Sequence, residues 1–168
     1  IIKDEDAFTH SLKVGCAAAG KGYLVTFGIP PTKPETGFGY IEVDNQPPSN
    51  GEGYYHALRF TEKPDERTAI SFLKSGNYFW NGGFFLFQAK RMIEALQEHL
   101  PEIGLLAAEG YDSLISHFDE LPSISIDYAI MEKEKNIAVV PLDAGWSDIG
   151  SWDALYEALD KDEKGNVK

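Results

Sequence analysis

The apolar positions along this chain switch between a helical period and short strand-like runs. Over residues 4–20, Phe8, Leu12, Cys16 and Ala19 recur at spacings of four, four and three behind acidic residues. That spacing predicts an amphipathic helix with this stripe inward and Gly20 at its end. β-Branched and aromatic runs at 23–28 and 40–43 predict two strands joined by a turn rich in Pro, Thr and Gly. Residues 44–55, polar with Pro47, Pro48, Gly51 and Gly53, read as an exposed hairpin tip. A strand at 56–63 then meets Pro64, and Asp65 caps a helix over 66–75 with Ile70 and Leu73 inward. The apolar run 83–87 predicts a strand covered on both faces, and 89–99 a helix with Met92, Ile93 and Leu96 on one stripe. Pro101 starts another helix, Ser125 can cap a short one reaching 132, 136–141 is a strand, and Ser151 can cap the last helix through 159. Strands alternating with helices predict an α/β layered sheet, whose ligands sit beyond the carboxyl ends of strands.

Length and charge narrow the picture. A chain of 168 residues is about one domain, long enough to bury ~70% of the surface it exposes unfolded. It carries no apolar stretch approaching the ~20 residues of a membrane helix. It opens on Ile1 with neither an initiator Met nor a basic-then-apolar leader, which reads as a segment cut from a longer protein. A single cysteine, Cys16, excludes an internal disulfide and fits a reducing compartment, the cytoplasm. Fifteen basic residues against 27 acidic ones give a formal charge of −12, which repels nucleic acid and anionic lipid. The same field opposes a small anionic substrate, so a phosphate site in this chain needs local lysines, backbone amides or a metal.

Four motif loops, each after a predicted strand, hold the candidate chemistry. In Glu62-Lys63-Pro64, Lys63 offers a phosphate a point charge and Glu62 offers vicinal hydroxyls an acceptor, while Pro64 restricts Lys63 to an extended backbone. Gly39, in the TGFGY turn at 36–40, lets backbone approach a ligand closely, although a hairpin needing positive φ explains the glycines equally. Asn81 presents a donor and acceptors to a hydroxyl, or forms an Asn-Gly turn. Asp148 can bind a divalent cation or cap the following helix. Trp80, Trp146 and Trp152 read as core, and Asp127 and Tyr128 as a helix start with a structural role. The four histidines show no metal-ligand spacing.

Taken in order, TFGIPPTKPETGFGYI at 26–41, Glu62-Lys63-Pro64, NYFWN at 77–81, SIDYAIME at 125–132 and VPLDAGWSDIGSW at 140–152 make the chain resemble the bacterial mannose-1-phosphate guanylyltransferases, or GDP-mannose pyrophosphorylases. The resemblance implies an incomplete Rossmann-like nucleotide-diphospho-sugar transferase sheet with flanking helices. It implies a reaction in which the phosphate of mannose 1-phosphate attacks the α-phosphorus of GTP, releasing pyrophosphate with the assistance of Mg²⁺. It places backbone of Gly39 against the sugar, Glu62 and Asn81 on mannose hydroxyls, Lys63 on the sugar phosphate and Asp148 on the metal.

The family opens with a glycine-rich triphosphate loop, base-reading residues and a first metal-binding Asp, all of which would precede Ile1. Residues 1–168 then form the C-terminal, sugar-phosphate-binding portion of the catalytic domain, and alone they are expected not to turn over substrate. Missing strands would leave an open central edge, an expected surface for a homodimer. Gly82, where the family usually has Ser, and Thr61, where an aliphatic is common, are smaller departures. Two further readings share these motifs: a nucleotidyltransferase for another sugar 1-phosphate, and a non-catalytic regulatory subunit that binds the nucleotide sugar.

Overall fold

The computed structural model describes residues 1–44 and 51–167. Its centre is five strands, β1 (Leu24–Ile29), β2 (Tyr40–Val43), β3 (Tyr55–Thr61), β4 (Tyr78–Leu86) and β5 (Ile137–Pro141). They pair in the order β1-β4-β2-β3-β5, and β5 returns to β1 to close a ring. The β1–β5 pair is parallel, from Leu24 opposite Ile137 to Gly28 opposite Pro141, and the other four pairs are antiparallel. The mixed α/β content is the one the alternation of elements predicted. Ring closure rests on two residue pairs, Tyr55 opposite Val139 and His56 opposite Ala138, and no local pattern encodes it. It leaves short one-sided stretches in place of the open central edge from which a homodimer was expected: among the described residues, 57–61 of β3, 140–141 of β5 and the 82–86 side of β4 have a strand on one side only.

All six residues of β1 are buried, because its side chains enter two hydrophobic clusters, each built from both strand and helix residues. Val25, Phe27 and Ile29 join Tyr40, Trp80 and Val140 in one hydrophobic cluster. Leu24 joins Ile41, Phe60, Ile130 and Val139 in a second. Helix α1 (Glu5–Gly20) is capped by Asp4, which accepts from the Ala7 amide at 2.9 Å. Of the predicted stripe, Ala19 is buried and Phe8 and Leu12 pack against the core, but Cys16 is exposed, and the fully buried positions are Ser11, Gly15, Ala18 and Ala19. Small residues turn inward because the helix lies close on β1: a Cβ on Gly15 would stand 3.1 Å from the Phe27 ring.

Helix α2 (Glu66–Ser75) starts at Asp65, whose carboxylate accepts from the Thr68 amide at 2.7 Å, and ends at left-handed Gly76. Ala69 and Phe72, not Ile70 and Leu73, meet the core, with Phe72 stacked on Tyr78 at 4.0 Å. Strand β4 begins well before residue 83 and is mostly half-buried rather than covered on both faces. Residues 82–84 bulge opposite Phe27, with Gly83 at φ +70°. Helices α3 (Ala89–His99) and α4 (Pro101–Glu109) follow, and α5 (Tyr111–Ser116) is one that periodicity did not reveal. Ser125 caps nothing with its side chain; a π-helical turn, Asp127–Met131, starts there instead. In α6 (Trp152–Ala158) Ser151 accepts from the Ala154 amide at 3.1 Å, as predicted. Of the expected hairpin tip, residues 45–50 lie outside the described residues, and Tyr54 is core, 2% exposed and packed on Tyr23 and His56.

Candidate functional site

The Pro-rich turn delivers Phe38 and Gly39 to the start of β2. Gly39 is buried and does not have positive φ, so conformational need does not explain the glycine. Space does: a Cβ there would fall 2.5 Å from Glu62 Oε2 and 3.4 Å from the Asn81 Cβ. The Asn81 amide donates to the Gly39 carbonyl at 2.8 Å, which ties β4 to this turn. Gly39, Glu62 and Asn81, 42 residues apart at the extremes of the sequence segment they span, therefore meet at one place (81 − 39).

Glu62 is 11% exposed, and its Oε1 lies 2.9 Å from the ammonium of Lys63, itself 63% exposed. Lys63 does not adopt the extended backbone that Pro64 was expected to impose: its φ is +44°. The chain folds back after Thr61, bringing the Lys63 amine onto the carboxylate of its own neighbour. Left-handed backbone at a non-glycine costs about 1–3 kcal/mol and concentrates at functional sites. The Glu62 hydrogen bond, then the Glu62 charge, raise the Lys63 pKa, so the amine stays charged.

Asn81 is less free than its sequence context suggested. Its Oδ1 accepts from Thr26 Oγ1 and from the Gly83 amide, both at 3.2 Å. Its Nδ2 donates to Asp127 Oδ1 at 2.8 Å. Asp127, read from the sequence as a structural helix start, thus joins the site. Burial first, and the Glu62 charge second, push its carboxyl above the ordinary range, against the Asn81 hydrogen bond. No spacing rule pointed to it, because the pairing spans 46 residues.

Asp148 stands apart. It is exposed and lines a cleft of about 290 Å³ with Lys3, Lys33, Phe38, Trp80 and Trp146. Phe38 and Trp80 directly precede Gly39 and Asn81, so one stretch of β2 and β4 borders both halves of the site. Phe38 packs edge-on against Trp80 and Trp146 at 5.3 and 5.6 Å. Trp80 is core as expected, whereas Trp152 is 85% exposed. Ile149 has φ +52°, an outlier for a β-branched residue, and Gly150 leaves room for the Asp148 carboxylate, which a Cβ would approach to 2.5 Å. Ladder bonds hold this loop to residue 1: the Ile1 backbone nitrogen donates to Ser147 O and the Ser147 amide to Ile1 O.

Among the described residues, three side chains with metal-ligand atoms converge at Glu98, His99 and Glu134. Glu134 is already satisfied there: Arg91 lies 2.5 Å from its Oε2, and the Lys135 and Asn136 amides donate to its Oε1 at 2.8 Å. That group is a buried structural ion pair.

Lys63, Glu62 and Asp127 thus gather around Asn81, and a further carboxylate, Asp148, lines the open cleft nearby. The chain belongs to the nucleotidyl transferase family, whose model matches residues 1–165. It is 44% identical to the alginate biosynthesis protein AlgA of Pseudomonas fluorescens, over 99% of this chain and 36% of that protein. It is 44% identical to the mannose-1-phosphate guanylyltransferase of Klebsiella pneumoniae, over 99% of this chain and 38% of that protein. Among solved structures it is similar to a Thermus thermophilus protein described as a mannose-1-phosphate geranyltransferase, with a TM-score of 0.84 and 36% identity, covering 96% of this chain and 48% of that one. The likeness to mannose-1-phosphate guanylyltransferases drawn from the motifs is borne out in the names of these relatives. The chain spans 36% to 38% of the two curated relatives.

Proposed function

We propose that this chain is the sugar-phosphate-binding portion of a cytoplasmic enzyme that transfers a guanylyl group from GTP to mannose 1-phosphate, giving GDP-mannose and pyrophosphate. The observation that carries the reading is the meeting of Gly39 before β2, Glu62 and Lys63 after β3, Asn81 within β4 and Asp127 of the π-helical turn. Such a transfer asks little covalent chemistry of the protein; holding two anions in line and offsetting their charge supplies most of the rate.

In this reading Lys63 holds the sugar phosphate. Its ammonium is exposed, charged and anchored on Glu62, so it presents a fixed cation in a chain whose net charge is −12. Glu62 accepts from mannose hydroxyls, and Gly39 brings backbone to the sugar because no side chain intervenes. Asp148 would hold Mg²⁺. A single exposed carboxylate on an open cleft, with no triad of ligand side chains around it among the described residues, suits an ion that takes its other ligands from phosphates and water. When bound, the ion neutralises charge on the phosphates.

The test is pyrophosphate release by the full-length gene product with GTP, Mg²⁺ and mannose 1-phosphate, run beside glucose 1-phosphate and a Lys63→Ala variant. Turnover selective for mannose 1-phosphate and lowered at least tenfold in the variant is expected, as loss of a charged hydrogen bond implies. Selective turnover of glucose 1-phosphate would reassign the sugar. No turnover with any sugar phosphate, while GDP-mannose still binds, would make the protein a regulatory subunit.

A further inference from the structure

We infer that Asp127 is a substrate-binding carboxylate: with Glu62 it accepts hydrogen bonds from two hydroxyls of the sugar, and Asn81 is the positioning residue that aims it. The inference rests on the sugar-phosphate reading of the site and refines which groups touch the sugar.

Three observations converge. First, Asn81 cannot serve the sugar as an acceptor, since Thr26 and the Gly83 amide already occupy its Oδ1, and one of its two N–H groups goes to Asp127. Its amide is fixed by β1 and β4 on one side and spends itself on Asp127 on the other. Second, Asp127 does not cap its helical turn; its local bond is to its own backbone N–H. The turn has Ile126 at its start and no side-chain cap, and the carboxylate reaches across to β4 instead. Third, Glu62 and Asp127 flank the same Lys63 and Asn81, and the Glu62 charge bears on the Asp127 carboxyl, opposed by the Asn81 hydrogen bond and the Lys63 charge. Holding two carboxylates together is unfavourable unless something engages them. A pair of hydroxyls does so without adding charge, whereas a second phosphate would be repelled. The pair therefore selects a sugar monophosphate whose ring hydroxyls are free.

The experiment uses the full-length gene product and Asp127→Asn, which keeps the shape and the Asn81 contact region while removing the charge. The Michaelis constant for mannose 1-phosphate is expected to rise tenfold or more, with that for GTP within twofold and the melting temperature unchanged. Calorimetric binding of mannose 1-phosphate and its monodeoxy analogues then separates contact from support. One analogue should bind the variant as tightly as it binds wild type, because the hydroxyl that Asp127 serves is missing. An equal loss across the whole analogue series would assign Asp127 a structural role and overturn the inference. Binding of mannose 1-phosphate unchanged by the substitution would overturn it too, leaving the guanylyltransferase reading intact. If wild type turns over no sugar phosphate but binds mannose 1-phosphate more tightly than the variant does, Asp127 keeps its role and the enzyme reading falls. No binding by wild type overturns both. Asn81→Ala supplies a second handle: its effect and that of Asp127→Asn should be less than additive, as for residues acting through one contact.

Discussion

Gly39→Ala separates space from conformation at the sugar site. Gly39 lacks a positive φ, so alanine can take its backbone without strain. Reducing the freedom of the unfolded chain should even stabilise the protein, by about 0.4–1 kcal/mol. The added methyl, however, would stand 2.5 Å from Glu62 Oε2, where ordinary contact begins at 3.4 Å. The carboxylate must therefore retreat by about 0.9 Å (3.4 − 2.5). It is the far end of a flexible side chain, so the fold yields easily, but the Glu62–Lys63 pair and the hydroxyl acceptor move together. A displacement of about 1 Å at a positioned group costs up to ~10²-fold, and loss of one charged hydrogen bond about tenfold or more. Binding of mannose 1-phosphate by the full-length protein should weaken ten- to a hundredfold while the melting temperature holds or rises, measured by calorimetry and thermal unfolding on the same sample. Unchanged affinity would refute the claim that Gly39 exists to seat Glu62. A drop in melting temperature of several degrees would show that the turn itself needs glycine.

Gly104→Ala should behave oppositely, since its Cβ would meet the Gln97 backbone nitrogen at 2.3 Å and cannot push aside a flexible atom; a loss of about 3 kcal/mol in urea unfolding is expected. Arg91→Met strands the 5%-exposed Glu134 carboxylate and should cost about 3–5 kcal/mol by the same measurement. Burial pushes the Glu134 pKa up, but hydrogen bonds from the Asn136 amide and Arg91 outweigh it and leave the pKa lowered. Its stabilisation is therefore present above the ordinary glutamate range and lost as pH falls through the lowered value; Glu134→Gln should flatten that acid loss in pH-dependent unfolding. The raised Asp127 carboxyl, facing Glu62, Asn81 and Lys63, should make the affinity for mannose 1-phosphate fall on acidification from a higher pH than an ordinary aspartate would, and Asp127→Asn should abolish that limb.

Local signals were legible where a side chain satisfies the backbone beside it. Asp4, Asp65 and Ser151 fixed three helix starts because a cap acts within three residues. Periodicity misled where packing chose small residues: α1 faces β1 with Gly15 and Ala18, which no hydrophobic stripe advertises, and leaves Cys16 outside. Ring closure through Tyr55 and His56 was invisible because strand pairing across more than 80 residues leaves no local trace (138 − 56). At the site, residue types pointed to Glu62, Lys63 and Asn81, which the fold brings together. The motif did not reveal that Asn81 is mostly engaged, nor that its partner is Asp127, since both follow from a register. Lys63 departs from its pre-proline preference where its amine meets the adjacent Glu62, a pairing of neighbours that residue types alone did not reveal.

The ladder between Ile1 and Ser147 bears on the order in which the site is built. The hydroxyl-binding half draws Gly39, Glu62 and Asn81 from neighbouring antiparallel strands, whose short connections close early. The Asp148 loop gets its place only when residues 146 apart in sequence meet, and the search for so distant a partner is slow and costly in chain entropy. On the proposed reading, the Gly39, Glu62 and Asn81 part of the sugar surface is therefore set by nearer pairings than either Asp127 or the Asp148 loop, each of which waits on a more distant contact.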